Sequence, residues 1–244
     1  MNQRMVIGIL GGMGPEATVD LFAKIIRSTP VSGDQDHLRI IIDNNPRIPD
    51  RQKAILENGP SPVPLLVETA ENLANAGANF IVIPCNTAHY WIEDIRKAVR
   101  IPVLDMIEET AKEIARSYPS LKTVGIMAAS GTVRSGLYQK RLSEVGIKAI
   151  SPTDTDQDRL MEAIYAVKAG DLTKPSATAI EIGQRLEKAG AEGIIAGCTE
   201  VPLILKVGDL PVPIIDATQV LATRTVETAQ GIRVLNRPER LVSA

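Results

Sequence analysis

Cysteine and histidine are almost missing from this sequence, no sign of charge prevails, and no long apolar run occurs. Two cysteines and two histidines in 244 residues are too few, and too widely spaced, for a structural zinc site built on four N/S ligands. A formal net charge of −2 leaves no basic surplus, which argues against a nucleic-acid partner. A run of about 18 apolar residues is needed to cross a bilayer, and none is present, so no membrane association is expected. Met1-Asn2-Gln3-Arg4 leads straight into a strand-like run at 5–10 that ends in glycines without a small-residue cleavage site. No signal peptide is expected there, and the setting expected is cytoplasmic. In that compartment the two cysteines stay free thiols rather than a disulfide.

What is present points to an α/β fold. Hydrophobic residues make up 44% of the chain, enough for a proper core. Short β-branched runs at 6–10, 39–43, 79–83, 103–104, 123–127, 148–151, 193–196 and 214–215 read as buried strands. Helical patterns alternate with them at 15–28, 63–76, 88–99, 106–117, 135–145, 157–169 and 176–189. Such alternation predicts parallel sheets covered by helices on both faces.

The chain also repeats itself. Residues 73–85 align without gaps on 186–198, matching Leu73 with Leu186, Ala76-Gly77-Ala78 with Ala189-Gly190-Ala191, Ile81 with Ile194 and Cys85 with Cys198. Downstream, Ile101-Pro102-Val103-Leu104-Asp105 resembles Val212-Pro213-Ile214-Ile215-Asp216, and upstream Val6-Ile7-Gly8-Ile9-Leu10 resembles Thr123-Val124-Gly125-Ile126-Met127. Three matches in one order predict two pseudo-symmetric Rossmann-like domains. The expected division is 1–105 plus 217–244 against 106–216, with the helix after Asp216 returning to the first half. Ligands of open parallel sheets bind beyond the C-terminal strand ends. Each half therefore presents one thiol at its ligand-binding edge, Cys85 or Cys198, and facing halves would bring both to one interdomain cleft.

Two proton-transfer groups on opposite faces of a carbon can invert it, one as base and one as acid. A thiol suits the role because its pKa falls at a helix N-terminus. Cys85 precedes Asn86-Thr87 and a helical pattern, and Cys198 precedes Thr199-Glu200 and then Val201-Pro202, with Pro at an early helical position. The competing reading of either cysteine alone is a small buried hydrophobe.

At this point the motifs resemble a known family. Pro84-Cys85-Asn86-Thr87-Ala88-His89 and Gly197-Cys198-Thr199-Glu200-Val201-Pro202 look like the two signatures of the aspartate/glutamate racemase superfamily. Gly8-Ile9-Leu10-Gly11-Gly12-Met13-Gly14-Pro15-Glu16-Ala17-Thr18 and Asn45-Pro46-Arg47-Ile48-Pro49-Asp50-Arg51 resemble its aspartate racemase branch. The resemblance covers nearly the whole chain. It implies two α/β domains with the active site between them, a homodimer, a small dicarboxylic amino acid as substrate, and no pyridoxal phosphate or metal. Some members of the branch carry Thr for one cysteine, and keeping both favours racemisation in both directions. Glutamate racemases open with an Asp-Ser-Gly-type motif where this chain has Gly11-Gly12-Met13-Gly14, so aspartate is the expected substrate, with glutamate, broader amino-acid specificity or maleate-type isomerisation as variants.

The resemblance also implies supporting roles. Arg51 would grip a substrate carboxylate in two parallel hydrogen bonds, and Lys168 would lie near the second carboxylate. Met13 would project into the cleft while the amides around Gly14 hold a carboxylate. Asn86, Thr87, Thr132, Thr199 and Glu200 would complete the site. Each has a plain alternative: a solvated arginine, a lysine favouring a helix C-terminus, residues capping a helix start, a structural glycine turn. Two other function classes stay open. Gly12-x-Gly14-x-x-Ala17 satisfies a relaxed dinucleotide pattern, with Asp34, Asp36 or Asp43 as the ribose acid, and a two-lobed binding protein would use the same cleft without chemistry.

Overall fold

The computed structural model describes residues 5–171, 173–233 and 235, so Met1-Asn2-Gln3-Arg4 and the charged, Pro-containing tail after 235 lie outside it. The first half runs β1 (Ile7–Gly11), α1 (Pro15–Ser28), β2 (Ile40–Asn44), α2 (Arg51–Leu56), α3 (Val63–Asn75), β3 (Phe80–Val82), a 3₁₀ turn (Thr87–Trp91) and α4 (Ile92–Ala98). After α5 (Met106–Ser117) come β4 (Thr123–Met127), α6 (Ser130–Arg134), α7 (Leu137–Glu144), β5 (Lys148–Ile150), α8 (Asp154–Lys168), α9 (Thr173–Lys188), β6 (Ile194–Ala196), α10 (Val201–Ile204), β7 (Ile214–Asp216) and α11 (Ala217–Ala229). Among the described residues no helix is long and apolar enough to cross a membrane.

Two parallel sheets result, β2-β1-β3 and β5-β4-β6-β7. Their orders correspond: β1 pairs with β2 and β3 as β4 pairs with β5 and β6. The isolated bridge Ile81↔Val103 stands where the second sheet has the Ile194↔Ile214 pairing of β6 with β7. The internal repeat is thus a repeat of topology.

Each sheet buries both faces. On β3, Phe80 and Val82 point into one core with Leu21, Ile25 and Leu221, while Ile81 packs into the opposite core with Leu66 and Ile95. On β6, Ile194 and Ala196 face Leu160 and Ile182, while Ile195 faces Ile114 and Leu142. The period-2 reversal of side chains forces this when helices lie on both sides. α11 carries Leu221, Ala222 and Val226 onto α1.

The repeated Asp105 and Asp216 do the same work. Asp105 Oδ1 accepts from the Ile107 and Glu108 amides (2.9 and 3.1 Å) to start α5. Asp216 Oδ1 accepts from Thr218 and Gln219 (2.9 and 3.1 Å) to start α11. Capping carboxylates satisfy amides that a helix start leaves unpaired.

Three local differences from the sequence expectations have physical causes. The helix expected at 88–99 begins as a 3₁₀ turn, because the Cys85 carbonyl is taken by the His89 ring (2.9 Å) while the His89 amide bonds Asn86 (3.1 Å). The helix expected at 135–145 starts only at Leu137, because Gly136, at φ 70°, separates it from the short, unassigned α6. α2, unassigned from the sequence, is nucleated by Asp50, whose carboxylate accepts from the Gln52 and Lys53 amides.

Candidate functional site

A cleft between the halves holds a small cavity. Cys85, Asn86 and Thr87 reach it from the turn after β3, and Cys198, Thr199 and Glu200 from the turn after β6. Met13 and Arg51 close it from the first half, and Lys168 from the end of α8. Nine of the eleven residues singled out from the sequence therefore meet at one place. The other two stand apart. Gly14 lies on the rim of a neighbouring groove. Thr132 is fully buried behind the wall, where its hydroxyl bonds the Thr87 hydroxyl at 2.8 Å. Its contact with the site runs through Thr87.

The glycine loop after β1 is shaped by packing. Gly12 has φ 98°, and a Cβ there would lie 2.3 Å from the Asn45 carbonyl carbon. Only glycine lets the two loops approach so closely. Met13, held by this turn, is buried at the cavity wall. Arg51 spends part of its fork on the same loops, donating to the Ile48 and Pro49 carbonyls (3.0 and 2.8 Å) and, at 3.4 Å, to the Met13 carbonyl.

A hydrogen-bonded floor joins the halves. Gln52 of α2 accepts from the Gly131 amide (2.5 Å) and donates to Thr87 Oγ1 (3.2 Å). Tyr138 of α7 donates to Asn86 Oδ1 at 2.6 Å. Gly197 makes room for that tyrosine, since a Cβ there would lie 2.9 Å from its ring. The Asn86 amide nitrogen, buried at the cavity wall, has no partner among the described residues. An unmet donor in a buried place costs about 1–3 kcal/mol, so it is ready to donate to the oxygen of an anion.

The environments of the two thiols differ. The Cys198 thiol donates to Glu200 Oε2 (2.9 Å), which also accepts from Thr199 Oγ1 (3.2 Å), while Lys168 Nζ pairs with Glu200 Oε1 at 3.1 Å. Burial pushes the Cys198 thiol well above the usual range, the Glu200 charge adds to this, and Lys168 opposes it. The lowering expected at a helix N-terminus does not occur at Cys198. α10 spans a single turn, too short to set its dipole against desolvation. Cys85 likewise precedes a 3₁₀ turn rather than a long helix. Burial disfavours the Lys168 ammonium, but Glu200 and then the two cysteines more than offset this and raise its pKa.

His89 supports Cys85 from behind. Its Nδ1 donates to the Cys85 carbonyl (2.9 Å) and its Nε2 accepts from the Met106 amide (3.0 Å), which is satisfied by the neutral ring. Burial lowers its pKa below the ordinary 6.5. Between the lowered value and 6.5 the unfolded chain binds the extra proton, so stability falls as pH drops through that window. Chemical denaturation at pH 7.5 and 5.5 is expected to show this loss, and His89→Gln to flatten it.

Several cavity residues escaped the sequence reading. Met161 and Tyr165 precede Lys168 on α8 and share its face. Their spacing of four and then three residues was the available signal, once Lys168 was placed. Gln52 directly follows Arg51 and carries no motif of its own. Among the described residues no three His, Cys, Asp or Glu side chains group as metal ligands.

Comparison with known proteins gives concordant matches. The family model of Asp/Glu/hydantoin racemases matches residues 10–225. The broad specificity amino-acid racemase RacX of Bacillus subtilis is 32% identical over 236 residues, covering 91% of this chain and 97% of the relative. The structure of Picrophilus torridus aspartate racemase superposes with a TM-score of 0.84 at 34% identity, covering 93% of this chain and 94% of that one. An aspartate racemase homologue from Pyrococcus horikoshii OT3 gives 0.76 at 28% identity, over 93% and 99%.

Proposed function

This chain belongs to the Asp/Glu/hydantoin racemase family, and from that premise we propose that its cleft interconverts L- and D-aspartate by proton transfer between Cys85 and Cys198. The observation that carries the reading is that two free thiols, one from each half of a duplicated fold, line a single cavity. In one direction the Cys85 thiolate removes the α-proton, the electron pair stays on the α-carbon and its carboxylate, and the Cys198 thiol protonates the opposite face. The α-carbon is inverted, Cys85 ends as thiol and Cys198 as thiolate. The high pKa of Cys198 makes it the natural starting acid. The reverse direction starts from the state this step leaves, Cys198 thiolate and Cys85 thiol; reaching it from the resting pair moves one proton from Cys198 to Cys85 by way of water, with Glu200, 2.9 Å from the Cys198 thiol, as the first acceptor. Apparent pKa values in a rate profile then belong to the coupled group.

The unpartnered Asn86 amide supplies a charge-assisted bond to the α-carboxylate. Arg51 and Lys168 stand at the cavity for the carboxylates, with Met13, Thr87 and Thr199 completing the wall. Every proton in this scheme moves between side chains and substrate, so the reading needs no pyridoxal phosphate. It carries with it a cytoplasmic setting, which keeps both thiols reduced, and the homodimer that the resemblance implies. A broader amino-acid specificity is the second reading, favoured by the relative RacX, whose length this chain covers almost whole.

The test is solvent exchange. In heavy water without added cofactor, L-aspartate and D-aspartate should each take deuterium at the α-carbon and converge to a racemate. Failure of both to exchange would sink the aspartate reading. Tyr138→Phe probes the Asn86 arrangement. With its Oδ1 partner lost, the Asn86 amide is free to turn, and KM for aspartate is expected to rise while kcat changes less; a cost of about 1–3 kcal/mol in stability accompanies it.

A further inference from the structure

The reaction cavity is tight, about 40 Å³, while a groove of about 430 Å³ lies directly beyond one of its walls. A single water needs roughly 10–15 Å³ by the same kind of measure, so the cavity has room for a few waters and not for an amino acid without some wall yielding. Cys85, Asn86 and Thr199 are at least nine-tenths buried and sit on turns tied to strand ends. The wall facing the groove is different. Lys168, Thr199 and Glu200 border both spaces, and across them stands the Lys168–Glu200 ion pair at 3.1 Å. Lys168 is the movable member: its side chain is 36% exposed, against 8% for Glu200, and hangs on a flexible four-carbon stem. The groove runs between α1 and the α8 and α10 ends, with small residues Gly14, Ala17 and Ala23 along its α1 side and Val167 and Leu203 opposite.

We infer that this groove is a side-chain subsite, gated by the Lys168–Glu200 pair, for α-amino acids whose unbranched side chains are longer than that of aspartate. With aspartate, Lys168 gives way only as far as the distal carboxylate requires and pairs with it at the mouth of the groove. With a longer substrate the ammonium swings outward, the two spaces join, and the distal methylenes lie along Ala17 and Ala23. The charge of the groove suits a polar or neutral end group. Lys168 and Glu200 cancel, Asp20 is held by Lys24 at 2.6 Å, and Glu16 and Arg27 oppose one another in sign. The inference rests on the racemase reading of the cleft and extends it to substrate length.

The experiment measures α-deuterium incorporation from heavy water into aspartate, glutamine, methionine and norleucine, with the wild type and with Ala23→Trp and Val19→Trp. Both positions line the groove and lie outside the reaction cavity; Val19 is 60% exposed, so that variant keeps the fold if Ala23→Trp does not. The wild type should label at least one of the longer amino acids. Each tryptophan should lower kcat/KM for them by about tenfold or more, the scale of steric discrimination in a pocket, and leave aspartate within about threefold. Labelling of aspartate alone overturns the subsite, as does an equal loss for all four substrates in both variants. Labelling of none, aspartate included, removes the racemase reading and this inference with it.

Discussion

Exchanging either Cys85 or Cys198 for serine is expected to slow enantiomer interconversion by at least about 10²–10⁴-fold, the contribution of one positioned proton-transfer group. A serine hydroxyl keeps the size and the hydrogen-bonding capacity of the thiol but releases its proton far less readily. The fold should survive, since the change is nearly isosteric at both positions. The two variants should also be mirror images of one another. With Cys198 replaced, Cys85 can still take and return a proton on its own face, so one enantiomer should exchange with heavy water without being inverted. With Cys85 replaced, the other enantiomer should do so. Near-normal turnover in both directions by either variant would remove that cysteine from the mechanism.

Glu200→Gln should cost about 10²-fold in turnover in the direction that starts with Cys198 as base. Glutamine can accept a hydrogen bond from the thiol but cannot carry its proton away. The change has a signature that simple damage would lack. Burial and the Glu200 charge hold the Cys198 thiol high, and Lys168 pulls the other way. With the carboxylate gone and the ammonium kept, the thiol pKa falls, so the alkaline limb of the rate profile should move to lower pH. Rate profiles of both enantiomers check this. An unmoved limb would show that Glu200 and Cys198 are not coupled.

Much of the architecture was written in local patterns. α1 and α5 run over the same residues as their apolar periodicity, and the duplicated Ala-Gly-Ala…Cys segments mark equivalent strands. The site was legible where a motif fixes position relative to a strand end, as for Cys85 and Cys198. It was not legible where tertiary contact decides. Nothing near Tyr138 announces that its hydroxyl will cross to Asn86, and Thr132 reads as a donor to the substrate or a helix cap yet is fully buried behind Thr87. The thiol pKa failed for a related reason: local sequence shows a helix start but neither its length nor the desolvation around it.

The return of α11 to α1 sets an order on biosynthesis. Leu21 and Ile25 wait for Leu221 and Val226, residues made some two hundred positions later. Until that stretch is made, α1, Leu104 and Met106 cover this side of the N-terminal sheet without the helix that closes the core over them. The first lobe therefore completes its core only once the last helix emerges, and a chain cut short before α11 keeps apolar residues of α1 uncovered.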